Sequence, residues 1–257
     1  MPSDRSLRSR CPICNGSHFL PKLRLTRQGE TFDIVTCRDC RFIFVADPKS
    51  DTANHIDISK INWAFRPRHF QIRRLLLSRL SQGQRVIEIG CGRGEVGHLL
   101  RNDSLDYIGY EPARGLSDFG IRAGVPIIQR TFEGDQRADA IVIDNVLEHV
   151  AEPAQMLEIA AGALNPGGIL IAITPNVNDI RALSPDWQRR HLWVPPDHIN
   201  FFSATDIAAM FTRAGMVPKR FRFDPLTLQD WKFYPRALAE SIGLSLFGHN
   251  VYSVKFS

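Results

Sequence analysis

The stretch VIEIGCGRGEVGHLL, residues 86–100, decides the fold of this chain. It starts as an apolar run typical of a buried strand, turns at closely spaced glycines, and continues with helical spacing. Glycine lets a ligand approach the backbone closely, and the helix that follows points its free amides at the same place. The stretch therefore predicts a ligand site in an α/β sheet, and residues 92–97 also match the dinucleotide pattern G-x-G-x-x-G.

Glu88 argues against a dinucleotide at this loop. A carboxylate two residues before Gly90 would repel a pyrophosphate but would attract the ammonium group of a cationic ligand. At about 4 Å and an effective dielectric constant near 20, that attraction is about 4 kcal/mol before desolvation. Glu111 ends the next apolar run, where a carboxylate can accept hydrogen bonds from a ribose diol. Together they favour a ligand that carries both a cation and a ribose.

Beyond residue 84, short apolar runs alternate with helical patterns, which predicts an α/β fold with a parallel sheet. The pattern continues toward the end of the chain with a capped helix over 203–214, a strand over 217–223, a helix near 230–243 and a final strand from residue 250. Strands are expected at 85–89, 106–110, 126–129, 139–144 and 168–173, and helices at 94–101, 114–123 and 153–164.

Two Cys-x-x-Cys pairs lie near the start of the chain. Cys11 and Cys14 precede Cys37 and Cys40 by a β-like segment of 22 residues, which can fold back as a hairpin. Four thiolates complete the closed tetrahedral shell of structural zinc and leave no open position for catalysis. Redox motifs, or cysteines that only pack, are the alternatives. The spacing predicts a small zinc ribbon.

The composition favours an ordinary globular protein. With 32 basic and 27 acidic residues the formal net charge is +5, a modest excess that points only weakly to nucleic acid. No apolar run reaches the roughly 20 residues needed to span a bilayer, and the first residues lack the apolar core of a signal peptide. We expect a cytoplasmic protein with no membrane partner.

Several motifs in register resemble those of class I S-adenosylmethionine (SAM)-dependent methyltransferases, specifically the small-molecule, ubiquinone-type branch. They are VIEIGCGRGEVGHLL, YIGYEP, ADAIVIDNVLEHVAEPAQML, LNPGGILIAITPN and HINFFS. The resemblance implies a Rossmann-like, seven-stranded, mostly parallel sheet with an antiparallel last strand. It also implies SAM as the cofactor and S-adenosylhomocysteine (SAH) as its product.

Three regions follow from these patterns. We expect a zinc ribbon over residues 1–48, then a linker and an N-terminal helix that covers the cofactor site over 49–82. The methyltransferase domain is expected over 83–257, with an acceptor-side insertion at about 175–202.

The resemblance also assigns cofactor residues. It places the amino-acid part of SAM at the glycine loop, the ribose at the end of the second strand, the adenine after the third and the methyl group after the fourth. The residues in that order are Glu88, Gly90, Gly92 and Gly94; Glu111 and Pro112; Phe132; and Asp144 and Asn145.

Methyl transfer needs mainly alignment, so a catalytic signature is not obligatory. A base helps when the acceptor carries a proton, and histidine titrates in the right range. His149, His191 and His198 are the candidates, and each also has a structural interpretation. Glu148 with His149 is an alternative ligand pair for a divalent metal.

The leading hypothesis is methyl transfer to a small-molecule acceptor such as a sugar nucleotide or natural-product intermediate. An RNA methyltransferase that docks through the ribbon and the basic stretch RPRHFQIRRLLLSRL, residues 66–80, is the first alternative. A non-catalytic binding module is the second. The oligomeric state stays open.

Overall fold

The computed structural model describes residues 8–48, 62–221 and 250–254, and contains two β-sheets. The expected helix near 230–243 lies outside the described residues. The strands are β1 Phe19–Arg27, β2 Glu30–Cys37, β3 Ile43–Val45, β4 Arg85–Ile89, β5 Asp106–Tyr110, β6 Ile127–Ile128, β7 Ala138–Asp144, β8 Leu164–Ile173, β9 Asn200–Phe201, β10 Val217–Phe221 and β11 Asn250–Val254. The α-helices are α1 Pro67–Leu77, α2 Glu95–Leu100, α3 Arg114–Arg122, α4 Pro153–Ala163, α5 Pro185–Trp187 and α6 Ala204–Arg213.

The larger sheet has the strand order β10-β11-β8-β7-β4-β5-β6. Strands β8, β7, β4, β5 and β6 pair in parallel, whereas β11 runs antiparallel to both of its neighbours. The predicted α/β class with a mostly parallel sheet is confirmed. Because β4 lies between β5 and β7, the chain reverses its winding direction there. Open α/β sheets bind their ligands at such a point, outside the carboxyl ends of the strands.

Alternate residues of the central strand pack into two different cores, as the two-residue period of a strand requires. Ile87 packs in the core that contains Leu157 of α4 and Ile207 of α6. Val86 packs on the opposite face, in the core that contains Ile72 of α1. Both faces of the sheet are therefore covered, which explains the continuous apolar runs in the sequence.

Helix α1 accounts for the basic amphipathic stretch. It begins at Pro67, a residue suited to the first turn, and buries Phe70, Ile72 and Leu76. Leu77, by contrast, is exposed. The apolar face of the stretch thus packs on the sheet, which leaves only its polar face for other contacts.

The smaller sheet has the order β1-β2-β3-β9. Its first three strands come from the cysteine-containing region, but β9 comes from the end of the expected insertion at 175–202. A separate core joins the two regions, and it contains Phe32, Ile34, Val45, Leu192, Ile199 and Phe201. The sequence did not predict this shared sheet, because β9 is only two residues long. The expected boundaries at 48 and 82 remain predictions.

Within the described residues, no helix is long and apolar enough to cross a membrane.

Candidate active site

A cavity of about 960 Å³ opens at the carboxyl ends of β4, β5 and β7. The structure places there every predicted cofactor residue except Gly94. Those that line the cavity are Glu88, Gly90, Gly92, Glu111, Pro112, Phe132, Asp144 and Asn145. Residues separated by up to 57 positions in sequence thus meet at one point, because parallel strands bring their carboxyl ends to the same edge of the sheet.

The glycine loop needs glycine for two different reasons. Gly90 and Gly92 have φ values of +68° and +58°, a region that other residues rarely adopt. At Gly97 the reason is space, since a Cβ there would lie 2.3 Å from Cε1 of Tyr107. Gly97 therefore serves helix–strand packing, and the match to the dinucleotide pattern carries no information about the ligand.

Glu88 is buried beneath the loop, with an exposed fraction of 4%. The hydroxyl of Tyr107, on the neighbouring strand, donates a hydrogen bond to its Oε2. Burial raises the pKa of Glu88 to about 8, although the Tyr107 hydrogen bond acts in the opposite direction. In the ligand-free protein the carboxyl is therefore largely protonated at neutral pH. An ammonium group beside it would favour the ionised form.

Glu111 fixes the other side of the loop. Its Oε2 accepts a hydrogen bond of 2.9 Å from the amide of Gly92, and its Oε1 accepts one of 2.8 Å from the amide of Ala113. Burial raises its pKa, and the two amide donors partly offset that effect. A carboxylate has about four acceptor positions, so two remain for a diol.

An aromatic pair lies beyond Glu111. The rings of Tyr110 and Phe132 are 5.0 Å apart in an edge-to-face arrangement, and the Arg130 guanidinium lies 5.0 Å from the Tyr110 ring centre. The Tyr110 hydroxyl is buried without a hydrogen-bond partner in the described part of the chain. Phe132 belongs to the core and also lines the cavity.

Asp144 closes the opposite end of the cavity. Nε of Arg68 donates to Oδ1 and Oδ2 of Asp144 at 2.8 and 2.7 Å, and Nε2 of His69 lies 3.4 Å from Oδ2. Burial disfavours the Asp144 carboxylate, but Arg68 and His69 outweigh it and hold the pKa below its ordinary value. This ion pair ties the start of α1 to the end of β7. The neighbouring Asn145 has a φ of +54°.

The three candidate histidines are in different environments. His149 lines the cavity, and its Nδ1 lies 2.6 Å from the carbonyl oxygen of Asp197. A carbonyl only accepts, so Nδ1 carries the proton and Nε2, 3.9 Å from Oε1 of Glu148, is the acceptor. Neither His191 nor His198 is among the described residues that line the cavity.

His198 lies behind His149, with 4.9 Å between the ring centres. Burial, followed by repulsion from His149, lowers its pKa to about 4. Such a group is a poor proton acceptor at neutral pH. His191 is exposed and lies beside the ring of Trp187 at 5.5 Å.

Glu148 forms a cluster with His149 and His198 at the His149 end of the cavity. It is 1% exposed, its Oε2 accepts a hydrogen bond of 3.0 Å from Thr174, and its Oε1 has no partner in the described structure. Ligand atoms of Glu148, His149 and His198 all lie within 4.8 Å of one another. The same side chains can thus present either a proton acceptor or a set of metal ligands.

The four cysteines converge at one point of the smaller sheet. Their sulfur atoms all lie within 4.8 Å of one another, with 3.6 Å between Cys11 and Cys40 and 3.5 Å between Cys14 and Cys37. The amide of Gly16 donates to Sγ of Cys14 at 3.4 Å. The second pair therefore reaches the first through the β1–β2 hairpin.

Comparison with known proteins defines the class. Residues 62–218, more than half of the chain, match the family described as "Methyltransferase domain". The chain belongs to this family and is a SAM-dependent methyltransferase with a class I, Rossmann-like fold.

Individual relatives are distant. A ubiquinone biosynthesis O-methyltransferase from Cereibacter sphaeroides is 26% identical over 178 residues, which are 62% of this chain and 71% of that protein. A SAM-dependent methyltransferase from Archaeoglobus fulgidus has a TM-score of 0.54 at 16% identity and covers 74% of this chain and 94% of its own. The plantazolicin methyltransferase, solved with SAH, has a TM-score of 0.54 at 13% identity, covering 74% and 82%.

Sequence reasoning missed several residues that line or support the cavity, among them Tyr107, Arg68 and His69. Tyr107 donates a hydrogen bond to Glu88 from the neighbouring strand. The two side chains meet because Glu88 pairs with Gly109, which lies two residues after Tyr107 on β5. Arg68 and His69 line the cavity from α1, although the sequence indicated only a basic helix face there. Their pairing with Asp144 spans more than 70 residues and leaves no local signal.

Proposed function

We propose that this methyltransferase acts on a small-molecule acceptor with a hydroxyl or carbon methyl-accepting atom, such as a sugar nucleotide or natural-product intermediate. The observation that carries the proposal is that one cavity has carboxylates for a cationic ribonucleoside at one end and His149 at the other. A volume of about 960 Å³ lies at the upper end of the range for small-molecule sites, so cofactor and acceptor can share it.

We propose that the residues of this cavity hold SAM. Glu88 would hold the ammonium group, the open backbone at Gly92 would admit the amino-acid part, and Glu111 would hold the ribose. Phe132 would contact the adenine through its ring. When bound, SAM supplies an electrophilic methyl group on a positively charged sulfur. Asp144 and Asn145, with Pro112 and the remaining loop glycines, would complete the cofactor site.

His149 is the residue that we propose as general base. Its Nδ1 is held by the carbonyl of Asp197, so Nε2, which lies 3.9 Å from Oε1 of Glu148, is the atom that would accept a proton from a hydroxyl or acidic carbon. Burial lowers the pKa of His149, so the ring is neutral with Nε2 unprotonated, although a lowered pKa also makes it a weaker base than a free imidazole. Its place at the cavity, rather than its pKa, distinguishes it from His198. His198 supports this ring rather than replacing it, and His191 is too exposed to share the task.

Glu148, His149 and His198 also support an alternative in which a divalent ion activates the acceptor. Titration of the purified protein with Mg²⁺ and Mn²⁺, followed by calorimetry, separates the two. We expect no binding below millimolar concentration in wild type. Micromolar binding that disappears in His149→Ala, but not in His191→Ala, would favour the metal-dependent alternative over the general base.

We further propose that Cys11, Cys14, Cys37 and Cys40 bind structural zinc as a ribbon. Four ligands at about 2.3 Å in a tetrahedron lie about 3.8 Å apart. The observed sulfur separations of 3.6 and 3.5 Å support this arrangement. Cysteines that bind metal rather than form disulfides are more typical of a reducing compartment, which agrees with the cytoplasmic location that we expect.

The basic stretch does not favour the RNA alternative. Arg68 pairs with Asp144 at 2.7 Å and Arg73 pairs with Asp103 at 2.6 Å, so part of its charge is neutralised within the protein. Phosphate binding would need free cations on a contiguous face.

Calorimetric titration with SAH and with NAD tests the proposed ligand site. We expect SAH to bind and NAD not to bind. Glu111→Gln should weaken SAH binding about tenfold, because charged hydrogen bonds to a diol are worth about 1.5–3 kcal/mol. Glu133→Gln, an exposed carboxylate near the same edge, is the matched control and should bind as wild type does. Binding of NAD alone would overturn the proposal.

A further inference from the structure

The cysteine-containing region, residues 8–48, is attached to the insertion through a backbone ladder. Strand β3 pairs with β9 in antiparallel register, with Ile43 opposite Phe201 and Phe44 opposite Asn200. The amide of Val45 donates to the carbonyl of Ile199 at 2.9 Å. We call residues 8–48 the ribbon. Its sheet is completed by a strand that belongs to the methyltransferase part of the chain.

Asn200 extends this attachment toward the cavity. Its side chain is 1% exposed, and its Nδ2 donates to the carbonyls of Leu147 and Val150 at 3.0 and 2.7 Å. The amides of Ile199 and Asn200 both donate to the carbonyl of Glu148, at 2.8 and 3.2 Å. Two consecutive residues, Ile199 and Asn200, thus hold three backbone carbonyls of the loop that follows β7.

Arg8 holds Asn200 from the ribbon side. Its Nη1 donates to Oδ1 of Asn200 at 3.0 Å, and its Nη2 donates to the carbonyl of Ala151 at 3.2 Å. The guanidinium lies 5.6 Å from the ring centre of Phe44, and the Arg8 amide donates to the carbonyl of Ala46 at 2.9 Å. Every polar atom of the Asn200 amide group therefore has a partner.

The loop held in this way forms the far end of the cavity. We call residues 146–151 the β7 loop, and Val146, His149 and Val150 of this loop line the cavity. The glycine loop, by contrast, is held by Glu111 and has no contact with Asn200 among the described hydrogen bonds.

We propose that the ribbon positions the acceptor end of the active site, and that Asn200 is the positioning residue through which it acts. This inference rests on the proposed function only in calling that end the acceptor side. The ribbon fixes the β7 loop and hence His149, while the cofactor end is fixed independently by the parallel sheet. A buried amide with two carbonyl acceptors can hold a loop in one conformation because each unmade bond would leave a buried group unsatisfied.

Hydrogen exchange of the whole protein, read by mass spectrometry, tests this positioning. Asn200→Ala removes both side-chain bonds to the loop, and Arg8→Gln weakens the ribbon's hold on Asn200 with a milder change. Asn165→Ala is the matched control, because Asn165 donates to Asp139 at 2.9 Å near the amino end of β8. The readout needs no acceptor, so it stands whether or not the proposed function holds.

We expect peptides that cover the β7 loop to exchange about tenfold faster or more in Asn200→Ala, since two hydrogen bonds of about 1 kcal/mol each are lost. Arg8→Gln should have a smaller effect of the same kind. Peptides over residues 88–95 should exchange as in wild type, and SAH affinity should stay within about twofold in both variants. If Asn200→Ala fails to fold, Arg8→Gln carries the test.

An unchanged β7 loop in these variants would overturn the proposal, because the ribbon would then be an attachment without influence on the site. Faster exchange of the glycine loop to the same extent would also overturn it, since the effect would be global. A β7-loop effect in Asn165→Ala would have the same meaning.

Discussion

Replacing Glu88 by glutamine should stabilise the ligand-free protein and weaken its hold on the cofactor. Glutamine has nearly the same volume, and its amide oxygen can still accept the hydrogen bond from Tyr107. What it lacks is a titratable proton. Wild type has a buried carboxyl whose pKa is raised to about 8, against an ordinary value of 4.5.

The sign follows from proton binding. Between pH 4.5 and 8 the folded protein keeps the proton of Glu88, whereas the unfolded chain releases it, so wild-type stability falls as the pH rises. The slope is about 1.4 kcal/mol per pH unit for one such group. The free energy of unfolding of Glu88→Gln minus that of wild type should therefore increase by about 2–3 kcal/mol between pH 5 and pH 7. Glu148 and other groups titrate in both proteins, so the difference isolates Glu88.

Urea denaturation of the ligand-free proteins at pH 5, 6 and 7 gives this difference. SAH titration should show binding about 10- to 100-fold weaker in Glu88→Gln, because a charged hydrogen bond of about 1.5–3 kcal/mol is lost. The exposed Glu133→Gln should change neither quantity. A difference in stability that is the same at all three pH values would refute the reasoning, since Glu88 would then be ionised in the folded protein.

Two further predictions concern packing and the ribbon. Gly97→Ala should destabilise the protein by about 1–3 kcal/mol in urea denaturation, because its Cβ would lie 2.3 Å from the Tyr107 ring. Gly162→Ala, at a helical glycine with open space around it, should instead stabilise by up to about 1 kcal/mol. Equal effects would contradict the packing role. Cys40→Ser should reduce bound zinc from about one ion per chain to much less in elemental analysis, whereas Cys91→Ser should leave it unchanged; full zinc content in Cys40→Ser would rule out a four-thiolate site.

The sequence predicted most of the sheet because local signals determine it. Strand β4, the glycine loop and Glu111 are encoded by apolar runs, glycines and a carboxylate at fixed spacing, and the structure brings them to one cavity. As a sequence feature, Glu88 is expected to be an anion. The structure adds that burial keeps it largely protonated until a cation is present, a property that depends on the surrounding packing rather than on the sequence motif.

Other features could not be predicted because no local sequence signal determines them. Asn200 and Arg8 lie 192 residues apart, and β9 is too short to produce a strand pattern. The pairing of Arg68 with Asp144 depends on how α1 packs against the end of β7. Such contacts arise only when separate elements assemble. The sequence could name the candidate histidines, but their ranking depended on which of them the assembled fold places at the cavity.

The most direct measurement is a crystal structure of the protein with SAH. We expect the amino group of SAH at hydrogen-bond distance from Glu88, the ribose hydroxyls on Glu111 and the sulfur directed toward the β7 loop. SAH bound in the reverse orientation, or outside the cavity that contains Glu88 and Glu111, would contradict this assignment of the cofactor site.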